Sequence, residues 1–433
     1  MRLWQPPGVS ARRRVGARRA GRAAAGVAVA AAFTMSAAVA AGASTHPAGN
    51  AGGHPGSSAR PVIHATLTAP RSLKPPANAP RIPRTAVLPY RHAPSRQALA
   101  RQSLLNTTIP TFSSSVVAGQ NGNIYGFTIV GQNPFAGGAG TTTVPVQVIP
   151  VVVTVGGTNH VYDPTVANAG CGEPVSPVTG MLTGPLLTRH RWSAGGQYVG
   201  TDQYIGAQMR EEFWSAANRF GVSPGYHVRF SGSEPAVITA TFNGGTEINA
   251  GTCNNLEEFP MSTWDSFIQS EFPALASFGV NSTTFPFFLF KNVVFTGNGC
   301  CVLGYHSAFN SGGNTQTYGN GDYVTDGEFG SIADMAVNAH EMGEWANDPF
   351  VNNPVPPWGH IGQQPNCQGN LEVGDPLTGT DFAFHSRTTV GGSGPTYHLQ
   401  ELAFFGWFYD DNIGINGWFS SRGTFTSGST LCS

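Results

Sequence analysis

Two hydrophobic patterns run along this chain, and each predicts its own elements. The β-branched stretch TTTVPVQVIPVVVTV (Thr141–Val155), closed by Gly156-Gly157, predicts a long buried strand. TTFPFFLFKNVVF (Thr283–Phe295) predicts the central strand of a sheet, with Pro286 near its start. Shorter strands are expected in YHVRF, AVITATF, VLGYHSAF and GNGDYVTDG. Helical spacing appears in three places. Thr201–Asn218 predicts an amphipathic helix capped by Thr201, and Ser262 caps a second helix through Phe272. The third, SIADMAVNAHEMGEWANDP, predicts a helix from Ser331 to Pro349, with Ser331 as N-cap and Asp334 in the capping-box position. Ile332, Met335, Ala339, Met342, Gly343 and Ala346 share one apolar side of it. His340, Glu344 and Asp348 share another side, which Glu341 borders. Such groups are costly to bury unpaired, so this face asks for a ligand.

A metal ion is one expected ligand; an exposed acidic face with a lone His is the plainer alternative. Residues at i and i+4 stack on one helix face, so His340 and Glu344 can both reach one ion. A carboxylate in place of a second imidazole lowers the net positive charge at the metal and admits harder ions than zinc, such as Ca²⁺ or Mn²⁺. For a third ligand, NLEVGDPL offers Glu372 just before the turn Gly374-Asp375-Pro376. Asp348, one turn further along the helix face, competes for the same part. Tyr397 and His398 open YHLQELAFFGWF and are candidates to supply a proton or a hydrogen bond to an oxyanion. His306 in GYHSAF is a candidate cleft residue, and His360 and His385 are spare ligands at most.

The pattern His340-Glu341-x-x-Glu344 resembles the metal helix of zincin-type metallopeptidases, with Glu where a second His is usual. That resemblance implies an α+β, zincin-like fold: a twisted mixed sheet, a metal-ligand helix and long loops after a β-rich N-terminal part. It implies zinc held by His340, Glu344 and Glu372, water as nucleophile and Glu341 as general base, acting on a peptide or protein substrate. HEMGEWANDP, LEVGDPL and YHLQELAFF together also resemble exordium-type, phosphate-induced secreted proteins and their bacterial relatives. This second likeness implies secretion and cell walls, hence an alternative function: a non-catalytic binder of wall polymer or carbohydrate with a structural metal site.

The N-terminus changes the picture of location. Arg12, Arg13, Arg14, Arg18, Arg19 and Arg22 precede an Ala/Val run, and AVAAGAS offers A-x-A cleavage, so residues 1–43 are expected to be a signal peptide with no membrane anchor left after processing. Residues 44–105 are rich in Pro, Ala, Arg and His without Asp or Glu, and are expected to be an extended or disordered leader. Of 23 Lys+Arg, 15 lie within residues 1–101, while all 24 Asp+Glu lie from Asp163 onward. The secreted domain expected over 106–433 therefore carries 8 − 24 = −16 formally. A basic leader before an acidic domain is expected either to dock on it in cis as a pro-segment or to serve as a plain spacer, and the composition argues against nucleic acid as partner. Six cysteines in a chain expected to be secreted predict disulfides. Spacing alone leaves the pairing open; the expected set is Cys171–Cys253, Cys367–Cys432 and a vicinal Cys300–Cys301.

Overall fold

A computed structural model describes residues 60–69, 108–136, 140–158, 160–218, 225–249, 253, 255–297, 301–387, 393–425 and 432. The expected signal peptide, most of the leader and Cys300 lie outside these residues. The fold is mixed α+β and rich in strands.

Its framework is a nine-stranded mixed sheet. We label its strands β1 (Val62–Thr68), β2 (Thr141–Val155), β3 (Val161–Tyr162), β4 (His227–Ser233), β5 (Val237–Asn243), β6 (Phe285–Lys291), β7 (Gly304–Ser311), β8 (Asn314–Phe329) and β9 (Ile332–Asp334). The main path runs β1-β5-β2-β6-β8-β7, and β3, β4 and β9 pair off it. β6 is central and parallel to both β2 and β8, and all seven of its residues are buried. Alternation explains its unbroken apolar run. Phe285, Phe287 and Leu289 join the core on one face, Phe288 and Phe290 the core on the other.

Three helices pack on this framework: α1 (Tyr204–Glu212), α2 (Met261–Leu275) and α3 (Ala336–Asn347). α2 covers one face of the sheet, with Trp264, Ile268 and Phe272 packed among Phe288, Phe290 and Ile149. α3 covers the other face, where Trp345 stacks on Phe285 with ring centroids 3.7 Å apart. α3 also meets β11 (Ser393–Gln400), which pairs with β10 (Asp381–Arg387), and the chain beyond it. At Gly343 any Cβ would collide with Leu402. All twelve residues of α3 are therefore buried.

Several sequence expectations shift. The helix expected at Ser331 begins at Ala336, because Ile332–Asp334 pairs with β8 instead. Ser331 does not cap it; its hydroxyl donates to the carbonyl of Gly379. The helix expected over 201–218 ends at Glu212 and resumes as Trp214–Ala217. The strand expected over 283–295 breaks at Asn292, whose φ is +50°. Within the stretch expected to be an unstructured leader, β1 pairs in parallel with β5 and Arg60 meets Glu234 at 2.7 Å. Cys171–Cys253 and Cys367–Cys432 are disulfide-bonded.

Candidate metal centre

α3 brings its polar residues to a place where glycines leave room for them. A Cβ on Gly374 would lie within 2.6 Å of the His340 ring, and one on Gly304 would lie 2.7 Å from Glu341 Cγ. Both glycines are thus required by close approach rather than by backbone angle. The loop carrying Gly374 is tied down twice: its N–H donates to Glu344 Oε1 (3.1 Å), and its carbonyl accepts from Gln400 Nε2 (2.7 Å).

Gln400, the last residue of β11, also sets the orientation of His340. Its Oε1 lies 3.1 Å from His340 Nδ1. With Nδ1–H donating to Gln400, Nε2 is the nitrogen that would ligate an ion in exchange for its own proton, the arrangement in which a second partner orients a ligating imidazole. His340 Nε2 then faces Glu344 Oε1 at 3.0 Å and Asp375 Oδ1 at 3.5 Å. Across Glu344 a second group forms: His306 Nδ1 lies 3.6 Å from Glu344 Oε2 and 3.6 Å from Glu341 Oε2. The groups His340–Glu344–Asp375 and His306–Glu341–Glu344 each have geometry that could hold a metal ion. Each of these residues is at most 5% exposed.

The electrostatics show why these groups are unusual. Burial alone would lower the pKa of His340, but Glu344 and Asp375 beside it outweigh burial and raise it well above the ordinary value. Burial pushes Glu344 up, yet His340 prevails and holds it below the ordinary carboxylate value. Burial raises Glu341 despite His306. Burial, then the charges of Glu344 and Asp375, raises Glu372 well above the usual range. Asp375 is pushed up to about 7 by burial and then by Glu344. Five buried carboxylates (Glu341, Glu344, Asp348, Glu372, Asp375) share the region with two imidazoles. Only protons or an added cation can hold that much negative charge out of water. The donor set fits a divalent ion, and Glu341 Oε2 and Glu372 Oε2 are buried without a hydrogen-bond partner.

The residues named from sequence separate as follows. His340 and Glu344 converge, with Glu341 beside them. Asp375, three residues past Glu372 in the same turn, completes the close group in its place. Glu372 is in neither group, its Oε1 accepting from Asn370. Asp348 is outside both groups: its oxygens accept the backbone N–H of Asn352 and Asn353, each at 2.9 Å, so it closes the turn after α3. His398 pairs with Asp334 at 2.8 Å and is partly exposed, whereas Tyr397 is buried in the core. His385 bonds Thr396 on the surface. His360 lies 3.6 Å from Cys367 Sγ, but that sulfur is in a disulfide and is no thiolate ligand. Sequence reasoning missed Asp375 and Gln400, although each sits within three residues of a residue it named.

The chain matches no family model, no curated protein and no solved structure. The site therefore rests on its own geometry: a mixed α+β protein with buried His/carboxylate groups able to hold a metal ion.

Proposed function

We propose that this chain is a secreted metal-dependent hydrolase of the peptidase kind, with Zn²⁺ held by His340, Glu344 and Asp375 and with Glu372 next in line. One observation carries the reading: His340, oriented by the Nδ1 contact with Gln400, turns Nε2 toward two carboxylates in a buried cluster short of positive charge. A bound ion supplies Lewis-acid polarisation of a carbonyl. Glu341, next to the first ligand on α3, takes the proton from the attacking water, as the resemblance to zincin-type peptidases implies. His398, oriented by Asp334 and on the same face of β11 as Gln400, returns a proton to the leaving group. The arginine-rich N-terminus and the two disulfides support export to an oxidising compartment. Among the described residues no helix is long and apolar enough to cross a membrane. The Arg60–Glu234 pair beside β1 supports a basic leader that binds the acidic domain in cis.

The test uses purified protein loaded with metal and a peptide library. Glu341→Gln should retain the ion at His340 and lose cleavage by about a hundredfold or more. Cleavage that survives the substitution contradicts the assignment of Glu341. A second reading is favoured by burial: His340 and Glu341 are each 1% exposed, as befits a structural ion in a wall-polymer or carbohydrate binder. Under that reading the protein holds metal, cleaves nothing in the library, and loses stability when the metal is removed.

A further inference from the structure

We propose that the group His306–Glu341–Glu344 is a second divalent-cation site, and that Glu344 bridges two ions, one on each of its carboxylate oxygens. This rests on the reading that His340, Glu344 and Asp375 hold the first ion.

The argument begins with Glu344 itself. Its Oε1 faces His340 Nε2, and its Oε2 faces His306 Nδ1, so the two oxygens address different imidazoles. The gaps are then decisive. Both separations from His306 Nδ1, 3.6 Å to Glu341 and 3.6 Å to Glu344, exceed a hydrogen bond. They match the separation of about 3.4 Å that two ligands have when each lies about 2.1 Å from a tetrahedral ion. On the first side, His340 Nε2 to Asp375 Oδ1 shows the same spacing, 3.5 Å. Glu341 Oε2 is buried, points into this gap and has no hydrogen-bond partner.

The sheet fixes the backbone of the second group, although His306 Nε2 is buried without a hydrogen-bond partner. His306 sits on β7, paired with Gly319 of β8, so its backbone is fixed by the sheet. Gly304 lies two residues earlier on the same face of β7 and leaves the space into which Glu341 fits. Carboxylate-bridged ions lie about 3.5–4 Å apart in two-metal centres, a span that one bridging glutamate sets. Glu341 meets the second ion through Oε2 and keeps Oε1 for its proton-accepting part in the proposed reaction. With two carboxylates and one imidazole, this site suits a harder ion such as Mn²⁺.

The full chain is stripped with chelator, loaded with Mn²⁺, dialysed and examined by elemental analysis and electron paramagnetic resonance. Wild type should hold about two equivalents with an exchange-coupled spectrum, and His306→Ala about one with the spectrum of an isolated ion. His306→Gln and circular dichroism guard against misfolding of the alanine variant. A single, uncoupled equivalent in wild type, unchanged by either substitution, overturns the second site and leaves the first standing. No bound Mn²⁺ in wild type overturns the second site, and no bound Zn²⁺ after the same loading with Zn²⁺ overturns the first as well.

Discussion

Two clusters in this protein each bury histidine against carboxylate, and they differ in charge balance. At one, Asp202 accepts from Arg229 Nε at 3.2 Å, from the Gln203 N–H at 3.1 Å and from His227, while Arg210 reaches His227 from behind at 3.3 Å. Both carboxylate oxygens have donors, and arginines supply the countercharge. At the other, on α3, five carboxylates meet two imidazoles, and no lysine or arginine contributes to the pairs described there. A self-neutralised cluster holds structure together. A cluster with surplus negative charge could hold a cation.

The comparison can be broken first at the balanced cluster. Asp202→Ala should destabilise the fold by about 3–5 kcal/mol, because it strands buried cations. Chelators should leave that loss unchanged, as thermal melts with and without EDTA would show. A loss that depends on metal would erase the distinction.

The second prediction concerns the α3 cluster without its ion. Metal removal should cost about 4 kcal/mol of stability at ligand a thousandfold above Kd. The cost should also depend on pH. Asp375 and Asp348 are both pushed up to about 7, chiefly by burial, and His340 is raised well above its ordinary value. Groups raised on folding stabilise below their unfolded pKa and lose that contribution as pH rises through the folded value. Chelated protein should therefore melt lower at pH 8 than at pH 5. Metal-loaded protein should not follow, because deprotonation strengthens ligation. Parallel melting curves for the two forms would contradict this.

Gln400→Ala sharpens the account of His340. Loss of the group that orients the imidazole should weaken metal binding by about 10–100-fold while leaving every ligand in place. Titration calorimetry reads this directly, and unchanged affinity would remove Gln400 from the site. The smallest effect has the opposite sign. Glu372→Gln in chelated protein should stabilise it by about 1 kcal/mol, and only at high pH, where the raised carboxyl has lost its proton and the amide removes a buried charge. Destabilisation in chemical denaturation would mean that Glu372 is balanced by something else.

How far these features could be read from sequence depends on the range of the interactions. Strand β2 has the bounds its β-branched run predicts, Thr141–Val155, because a buried strand's pattern is local. The i, i+4 spacing of His340 and Glu344 is local as well, and so was legible. Two of the expected disulfides also stand. The start of α3 was misjudged because pairing of Ile332–Asp334 with β8 overrides a local capping pattern. Asp375, Gln400 and the closeness of His306 to Glu341 are set by how β7, β11 and the 371–377 loop pack on α3. No periodicity encodes such long-range contacts. For the same reason β1 was hidden: VIHATLT gains its order from the edge of β5, a partner more than 170 residues away.

The surplus charge on α3 as a cation site is the central claim, and anomalous diffraction tests it most directly. Crystals grown with Zn²⁺ and measured at the zinc edge should show a peak bounded by His340 Nε2, Glu344 Oε1 and Asp375 Oδ1. Absence of any peak there, with these three side chains in the places described, would contradict it.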